Sequence, residues 1–357
     1  MSSVKASSQK PAARPARVTM QDVANALGVS QATVSQVLSE HVDRYRISED
    51  TQQRVREMAQ KLGYRRNHSA RSMRLGRSMA IGLVMTSQHN FFSFSRYPRM
   101  IRGLATQVTE DRHQLRLMVL EESEQEAERF HETDFLHLEV DGIVIADNIG
   151  AERKMERTLS HYRVPAVWAN VLRKHDCVVP DEVAAIEDIV QSFARHGHKH
   201  IGYIDYGHSG HFSHGLRRES FVAECNRLGI KSQPIEVDHR LEFEDAERKL
   251  TPVLRSADRP TAFVALGAEN GQALLWIALT MQFKVPDDLS IIVLHDSELR
   301  GLGVRLAVKR IPFIEIGAAA GRLLQTKIEA PDEPMPPMLV PYDPVKPEGS
   351  LGPAPKR

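Results

Sequence analysis

Between residues 18 and 38 the apolar positions Val23, Leu27, Val34, Val37 and Leu38 recur at helical spacing, interrupted by a turn at Gly28. The pattern predicts two short helices. Thr19 supplies an N-cap to the first, with Asp22 three residues on to complete a capping pair. Ala24 is small where two helix backbones must cross. Gly28 falls where the turn needs a positive φ, and Ser30 can cap the second helix. A third helix starts at the cap Ser48, carries Val55, Met58, Ala59 and Leu62 inward, and stops at Gly63; a loop from His41 to Ile47 separates it from the second. Two short helices in this relation make a helix-turn-helix, which lays its second helix in a DNA major groove. Residues 65–78 then form a short, basic, weakly amphipathic stretch. It is too poor in apolar surface to be a stable free helix and reads as a linker that folds on contact with DNA.

From Met79 the periodicity changes. Ala80-Ile81-Gly82-Leu83-Val84-Met85 is a continuous apolar run suited to a buried parallel strand. Further strands are predicted at Leu115–Leu120, Gly142–Ala146, Ala166–Ala169, Ile201–Asp205, Thr261–Leu266 and Ile291–His295, with a last one near Met338–Val340. Between them, helices are predicted at Arg99–Val108, Glu124–Leu138, Val183–His196, Arg217–Leu228, Glu244–Arg255, Gly271–Met281 and Ile314–Glu329. Such alternation implies doubly wound α/β layers. The number of strands implies two lobes, with a ligand crevice at strand carboxyl ends.

Composition adds three points. The chain is 41% hydrophobic and 26% charged, an ordinary globular balance, and no apolar run approaches the length of a membrane span. Its net charge of +1 hides an asymmetry: residues 1–78 hold 14 Lys/Arg against 6 Asp/Glu, net +8, and the remainder 33 against 40, net −7. Positive charge therefore lies with the helix-turn-helix, as a DNA-binding headpiece requires. Residues 1–17 lack an apolar core and read as a disordered basic arm, not a secretory signal. Two cysteines, Cys177 and Cys225, argue against a disulfide framework and fit a reducing cytoplasm.

Specific motifs sharpen this reading. The headpiece contains Asp22-Val23-Ala24, Gly28-Val29-Ser30 and Thr33-Val34-Ser35, and the linker contains Asn67 followed by Ala70, Arg71 and Met73. The core contains Asp141-Gly142-Ile143-Val144, Val164-Pro165-Ala166-Val167, Gly197-His198-Lys199-His200-Ile201-Gly202-Tyr203 and Val285-Pro286-Asp287-Asp288-Leu289-Ser290-Ile291. With these motifs the chain, over roughly residues 18–350, resembles the LacI/GalR family of bacterial transcription regulators.

The resemblance implies an α/β core of two doubly wound, periplasmic-binding-protein-like lobes behind an all-α helix-turn-helix headpiece and a hinge helix. The expected layout is a basic arm at 1–17, a headpiece at 18–64, a hinge or linker at 65–78, a core at 79–350 and a tail at 351–357. Within the core, the N-lobe is expected at about 79–177 plus 305–335 and the C-lobe at about 178–304 plus 336–350. The implied function is a cytoplasmic regulator, acting as a repressor: a homodimer on a pseudo-palindromic double-stranded operator, controlled by a sugar-like effector between the lobes. No cofactor, metal or membrane partner is implied.

By the same resemblance Gln31, Ala32 and Gln36 read base edges, since Gln pairs bidentately with adenine and Ala meets a thymine methyl. Thr19, Ser30, Thr33, Ser35, Tyr64 and Asn67 look like phosphate contacts, which fix register; Ser30 caps its helix in either case. Ala70 and Met73 belong to the hinge, where Met73 takes the place of the family's minor-groove wedge leucine. Phe91 and Phe92 stand where an aromatic meets the effector, or else are plain core. Arg217 and Asp296 match family residues that hold effector hydroxyls or carboxylates, the alternative being structural ion pairs. The chain departs from the family in a longer loop at 41–47, extra residues between Ser87 and Pro98, Ala268 in place of an aspartate, and Ile311-Pro312 in place of Gln-Pro. His208, His211 and His214 recur every three residues, but without a carboxylate or cysteine among them they read as pocket or loop polarity, not a metal site. No phosphate loop, nucleophile elbow or zinc constellation supports an enzyme, and a solute-binding protein has no use for the headpiece.

Overall fold

The computed structural model describes residues 18–38, 47–65, 77–87, 96–121, 139–146, 152–206, 211–238, 242–346 and 348–356. It divides into two compact units, residues 1–76 and 77–357. In the first, α1 (Met20–Leu27), α2 (Gln31–Val37) and α3 (Glu49–Lys61) bury Val23, Ala24, Val34, Val37, Val55 and Ala59 against one another. The capping pair forms as the spacing requires. The Asp22 N–H donates to Thr19 Oγ1 at 3.3 Å, and the Thr19 N–H donates back to Asp22 Oδ2 at 2.8 Å. Gly28 closes α1 at φ +67°, a left-handed conformation that a side chain would strain.

The second unit holds two six-stranded sheets. In the first, β1 (Ala80–Ser87), β2 (Gln114–Glu121), β3 (Gly142–Ala146), β4 (Ala166–Ala169), β5 (Cys177–Pro180) and β12 (Met338–Val340) run parallel in the order β12-β5-β4-β3-β1-β2. In the second, β6 (His200–Asp205), β7 (Lys231–Glu236), β8 (Ala262–Leu266), β9 (Ser290–His295), β10 (Leu299–Gly301) and β11 (Val304–Arg310) lie in the order β10-β11-β9-β8-β6-β7, with only the β10–β11 pairing antiparallel.

Helices cover both faces of each sheet, which is why the strands read as unbroken apolar runs. On the first sheet, α4 (Arg96–Glu110) and α10 (Phe313–Glu329) pack on Ile81, Leu83, Met85, Val144 and Val167. On its other face α5 (Glu152–His161) packs on Val84, Ile143, Ile145 and Trp168. On the second sheet, α6 (Glu182–Arg195) and α7 (Phe212–Arg227) cover Ile201, Tyr203, Val264 and Ile292, while α8 (Glu242–Arg255) and α9 (Gly267–Thr280) cover Phe263, Ala265, Ile291 and Val293. The α4–α10 crossing is unusually close. A Cβ on Gly103 would stand 1.9 Å from the Ile314 carbonyl oxygen, and one on Gly317 would stand 2.1 Å from that of Met100.

The α/β two-lobe class is as the sequence implied, but its internal boundaries shift. Val304–Arg310, expected in the N-lobe, is a strand of the second sheet because it pairs with β9 from Ala307↔Ile292 to Arg310↔His295. β5 beyond Cys177 and all of β12, expected in the C-lobe, pair with each other, and β5 also with β4, and so complete the first sheet. The chain therefore crosses between lobes three times: at Asp181, at Ile311-Pro312, and at Pro341-Tyr342. The end of the chain is docked, not a free tail. Ser350 bonds to Ile291 and Ala307, Gly352 to Ser290 and His198, and the Ala354 N–H to the His196 carbonyl. The strands β5, β7, β10 and β11 and the helix α5 were not legible in the sequence pattern. The helix expected at 124–138 lies outside the described residues.

Candidate DNA-reading helix and interlobe cleft

α2 is set up by its first residue. Ser30 Oγ accepts the Thr33 N–H at 3.0 Å and shares a hydrogen bond with Thr33 Oγ1 at 2.8 Å. With Val34 and Val37 buried against α1 and α3, Gln31 and Ala32 are exposed and Gln36 is half-exposed. Thr33 and Ser35 are half-buried at the sides of the same helix. Thr19 acts as a cap, and its hydroxyl donates to Asp22 Oδ2 at 2.8 Å. The backbone and side-chain hydrogen bonds from Thr19 hold the Asp22 carboxyl below its usual range. Tyr64 packs half-buried on the headpiece core. Asn67, Ala70, Met73 and most of the longer loop, residues 41–46, lie outside the described residues.

In the second unit the expected effector residues diverge. Arg217, on α7, is buried and bidentate on Glu182 at the start of α6, with both Nε and Nη2 at 2.6 Å from its oxygens. Tyr342, on the third crossover, donates to the same carboxylate at 2.8 Å. Against the desolvation that would lower it, Glu182 raises the Arg217 pKa far above its ordinary value, and burial raises that of Tyr342. Arg217 thus forms an internal ion pair, the alternative the sequence left open beside an effector contact. It ties two interlobe crossovers to α7, because a guanidinium this deeply buried must have its charge matched from within.

Asp296, directly after β9, does stand between the lobes. It is buried, with His295 Nε2 at 3.3 Å from Oδ1 and Arg99 Nε, from α4 of the first lobe, at 3.6 Å from Oδ2. Other groups meet it at the strand ends. Asn170 follows β4 at φ +62°, a conformation Asn tolerates better than most residues. Its carbonyl lies 3.0 Å from His211 Nε2. His211 Nδ1 accepts the Ser213 N–H at the start of α7, so Nε2 carries the proton and donates to Asn170 across the lobes. Tyr206, after β6, donates to Glu269 Oε2 at 2.9 Å, and burial followed by this carboxylate raises its pKa. Gly267 makes room for that tyrosine, since a Cβ there would lie 2.1 Å from the hydroxyl.

Phe91, Phe92 and His208 lie outside the described residues. Among the described residues no group of three metal-ligating side chains occurs, and no helix is long and apolar enough to cross a membrane. Arg99, Asn170, Glu182 and Tyr342 were missed in the sequence. The only signal was position: Asn170 and Tyr342 come directly after or near strand ends, where crevice residues belong.

Headpiece and core together define a DNA-binding transcription regulator carrying a periplasmic-binding-protein-like domain, and not an enzyme. Residues 19–67 match the family described as bacterial regulatory proteins, lacI family, and residues 190–350 match the periplasmic binding protein-like domain. The maltose regulon regulatory protein MalI of Escherichia coli K12 is 30% identical over 248 residues, covering 67% of this chain and 68% of MalI. Catabolite control protein A of Priestia megaterium is 26% identical, covering 86% and 91% of the two chains. A crystal structure of the lac repressor dimer bound to operator and an anti-inducer superposes with a TM-score of 0.75 at 19% identity, covering 95% of this chain and 100% of that one. The chain belongs to the LacI family of bacterial transcription regulators.

Proposed function

We propose that this regulator is a cytoplasmic repressor that binds a pseudo-palindromic operator as a homodimer, with a sugar-class effector in the interlobe cleft setting its affinity. The observation that carries the reading is α2: capped by Ser30 and anchored by Val34 and Val37, it turns Gln31 and Ala32 outward, with Gln36 beside them. In this reading Thr33, Ser35, Tyr64 and Asn67 hold phosphates while Ala70 and Met73 enter the minor groove at the centre of the site. Thr19 and Ser30 act first as caps.

Two apolar surfaces support a second copy. Leu117 and Val119 are exposed on the edge strand β2, and Phe243 stacks edge-on against Trp276 at 4.7 Å with both rings exposed. Isolated exposed apolar residues need no explanation, but clustered ones mark interfaces. A sugar-class effector is supported by the ribose operon repressor among the relatives and by the cellobiose complex of CelR among the structural neighbours. In the cleft Asp296 accepts effector hydroxyls and Phe91 and Phe92 offer an apolar wall, while Arg217 stays with Glu182. The effector shifts the lobes, and the same coupling free energy must then appear in operator affinity.

Selection of the full-length protein against a randomised DNA pool, with sequencing of the bound fraction, tests this. Enrichment of a two-fold symmetric site with a pyrimidine–purine step at its centre is the expected result. Weak, salt-sensitive binding with no enriched sequence, with or without added mono- and disaccharides, would overturn it.

A further inference from the structure

One carboxylate outside both candidate sites sits where the chain enters the core. Asp141, immediately before β3, accepts the Ser78 N–H at 2.6 Å and the Ser78 hydroxyl at 2.9 Å on Oδ1, and the Met79 N–H at 2.9 Å on Oδ2. Its own N–H donates to the Ala80 carbonyl at 2.8 Å, and the Met79 carbonyl accepts the Gln114 N–H at 2.9 Å. Met79 is held at φ +53°, a left-handed conformation that costs a side-chain-bearing residue and persists only where surrounding bonds enforce it. The sequence offers no local reason for such a joint, because residue 141 lies far from residue 78 along the chain.

A second layer stands behind the carboxylate. His113 Nε2 lies 3.5 Å from Asp141 Oδ2, with both side chains largely buried. His113 Nδ1 faces Gln325 Nε2 at 3.2 Å and the Asp111 carbonyl at 3.0 Å. Gln325 is on α10, the helix that begins at Phe313 directly after the second interlobe crossover. A chain of contacts thus runs from a crossover, along one rigid helix, to the residues from which the polypeptide continues into the stretch 65–76 and the headpiece.

We infer that Asp141 is a positioning residue for operator binding. It pins Ser78 and Met79 so that the linker leaves the core from one fixed point, and His113 and Gln325 tie that point to the helix that follows a lobe crossover. The inference rests on the reading of this chain as a dimeric operator-binding regulator. Two headpieces reach two half-sites at a set spacing only if both linkers start from fixed positions. Releasing two residues adds about 7 Å of slack per linker. Slack lowers the effective concentration of the second headpiece once the first has bound, and flattens the dependence on spacing. Binding to phosphates without regard to sequence does not depend on the anchor.

The test uses full-length wild type, Asp141→Asn and Ser78→Ala, the palindrome selected by the wild-type protein, the same palindrome with its half-sites moved apart by one and two base pairs, and scrambled DNA. Asp141→Asn keeps the volume and loses the charged acceptor, and should weaken binding to the palindrome by about tenfold. Ser78→Ala removes the hydroxyl's bonds to Asp141 and to the Ala80 backbone but leaves the Ser78 N–H on Asp141, and should weaken it by about fivefold or less. Both variants should bind scrambled DNA as the wild type does, and both should discriminate less among the spacings. Wild-type affinity and wild-type spacing preference in both variants would overturn the inference. So would a parallel loss on palindrome and scrambled DNA with a lowered melting temperature in both, which marks a purely structural carboxylate. Failure of the wild-type protein to select any palindrome would overturn the underlying reading, and this inference with it.

Discussion

The proposed reading helix α2 and the interlobe cleft use polar side chains in opposite ways. On α2 the candidate contact residues Gln31 and Ala32 face outward from a helix whose shape is fixed within a few residues by Ser30, Thr33, Val34 and Val37. Between the lobes several polar side chains are already matched to one another: Arg217 to Glu182 and Tyr342, His211 to Asn170, Tyr206 to Glu269, with Arg99 and His295 beside Asp296. A surface meant for an anionic polymer can leave its donors to solvent. A buried cleft cannot, because an unmatched charge there costs several kcal/mol. Local determinants therefore build the first site and long-range pairs build the second, so substitutions in the two regions should differ in size and in which unit they unsettle.

The largest effect is expected at Glu182. Glu182→Ala leaves the buried Arg217 unpaired and should destabilise the core by about 3–5 kcal/mol in urea unfolding. Hydrogen exchange read peptide by peptide should show the loss confined to residues 77–357. The double substitution Glu182→Leu, Arg217→Leu should recover most of it, since the charge to be matched is gone; equal losses in single and double variants would break the account of this pair.

Next comes pH. His198 is fully buried, taking the Thr261 hydroxyl on Nδ1 and giving its Nε2 proton to the Gly352 carbonyl of the docked chain end. Burial pushes its pKa from 6.5 down to about 4, only partly offset by the bond to Gly352. The unfolded chain therefore takes up a proton at a pH where the folded one does not. Stability from this group is complete above pH 6.5 and falls as the pH drops towards about 4, by about 3 kcal/mol over the range. His198→Asn should lower stability at pH 7 and flatten its pH dependence between 4 and 6.5 relative to wild type; a parallel slope in the two proteins would contradict the assignment.

Smaller effects belong to the headpiece. Gly28→Ala puts a side chain at φ +67° with open space around it, so only backbone strain acts, about 1–2 kcal/mol. Thr19→Ala removes the N-cap and should cost about 1 kcal/mol. Both should raise exchange in residues 18–65 and leave the core protected.

The sequence carried the headpiece almost completely, because every determinant there is local. A cap and its partner are three residues apart, Gly28 ends one helix, and apolar residues at i, i+3 and i+4 make a core. The doubly wound class was equally legible from runs such as 80–85 and 142–146. The missed strands lack that signal. β7 reads Lys-Ser-Gln-Pro-Ile-Glu because it is an edge strand, and β11 alternates Val-Arg-Leu-Ala-Val-Lys-Arg. Lys309 on β11 is buried only because Asp188 and the Asp343 carbonyl meet it from other elements. Arg217 was placed correctly on α7, yet its partner Glu182 lies thirty-five residues earlier, and no local pattern tells an arginine awaiting a ligand from one already paired. The docking of residues 350–354 was hidden for the same reason, since its partners Ser290, Ile291 and Ala307 are brought there by the sheet.

The most direct measurement is the affinity of the wild-type protein and the Gln31→Ala, Gln36→Ala double variant for the selected palindrome and for scrambled DNA of the same length, at one salt concentration. If these side chains read bases, the double variant loses about thirtyfold or more on the palindrome and less than about twofold on scrambled DNA, because phosphate contacts survive without them. Equal affinities of the two proteins for the palindrome, or equal losses on both DNAs, would contradict the claim that this helix reads sequence.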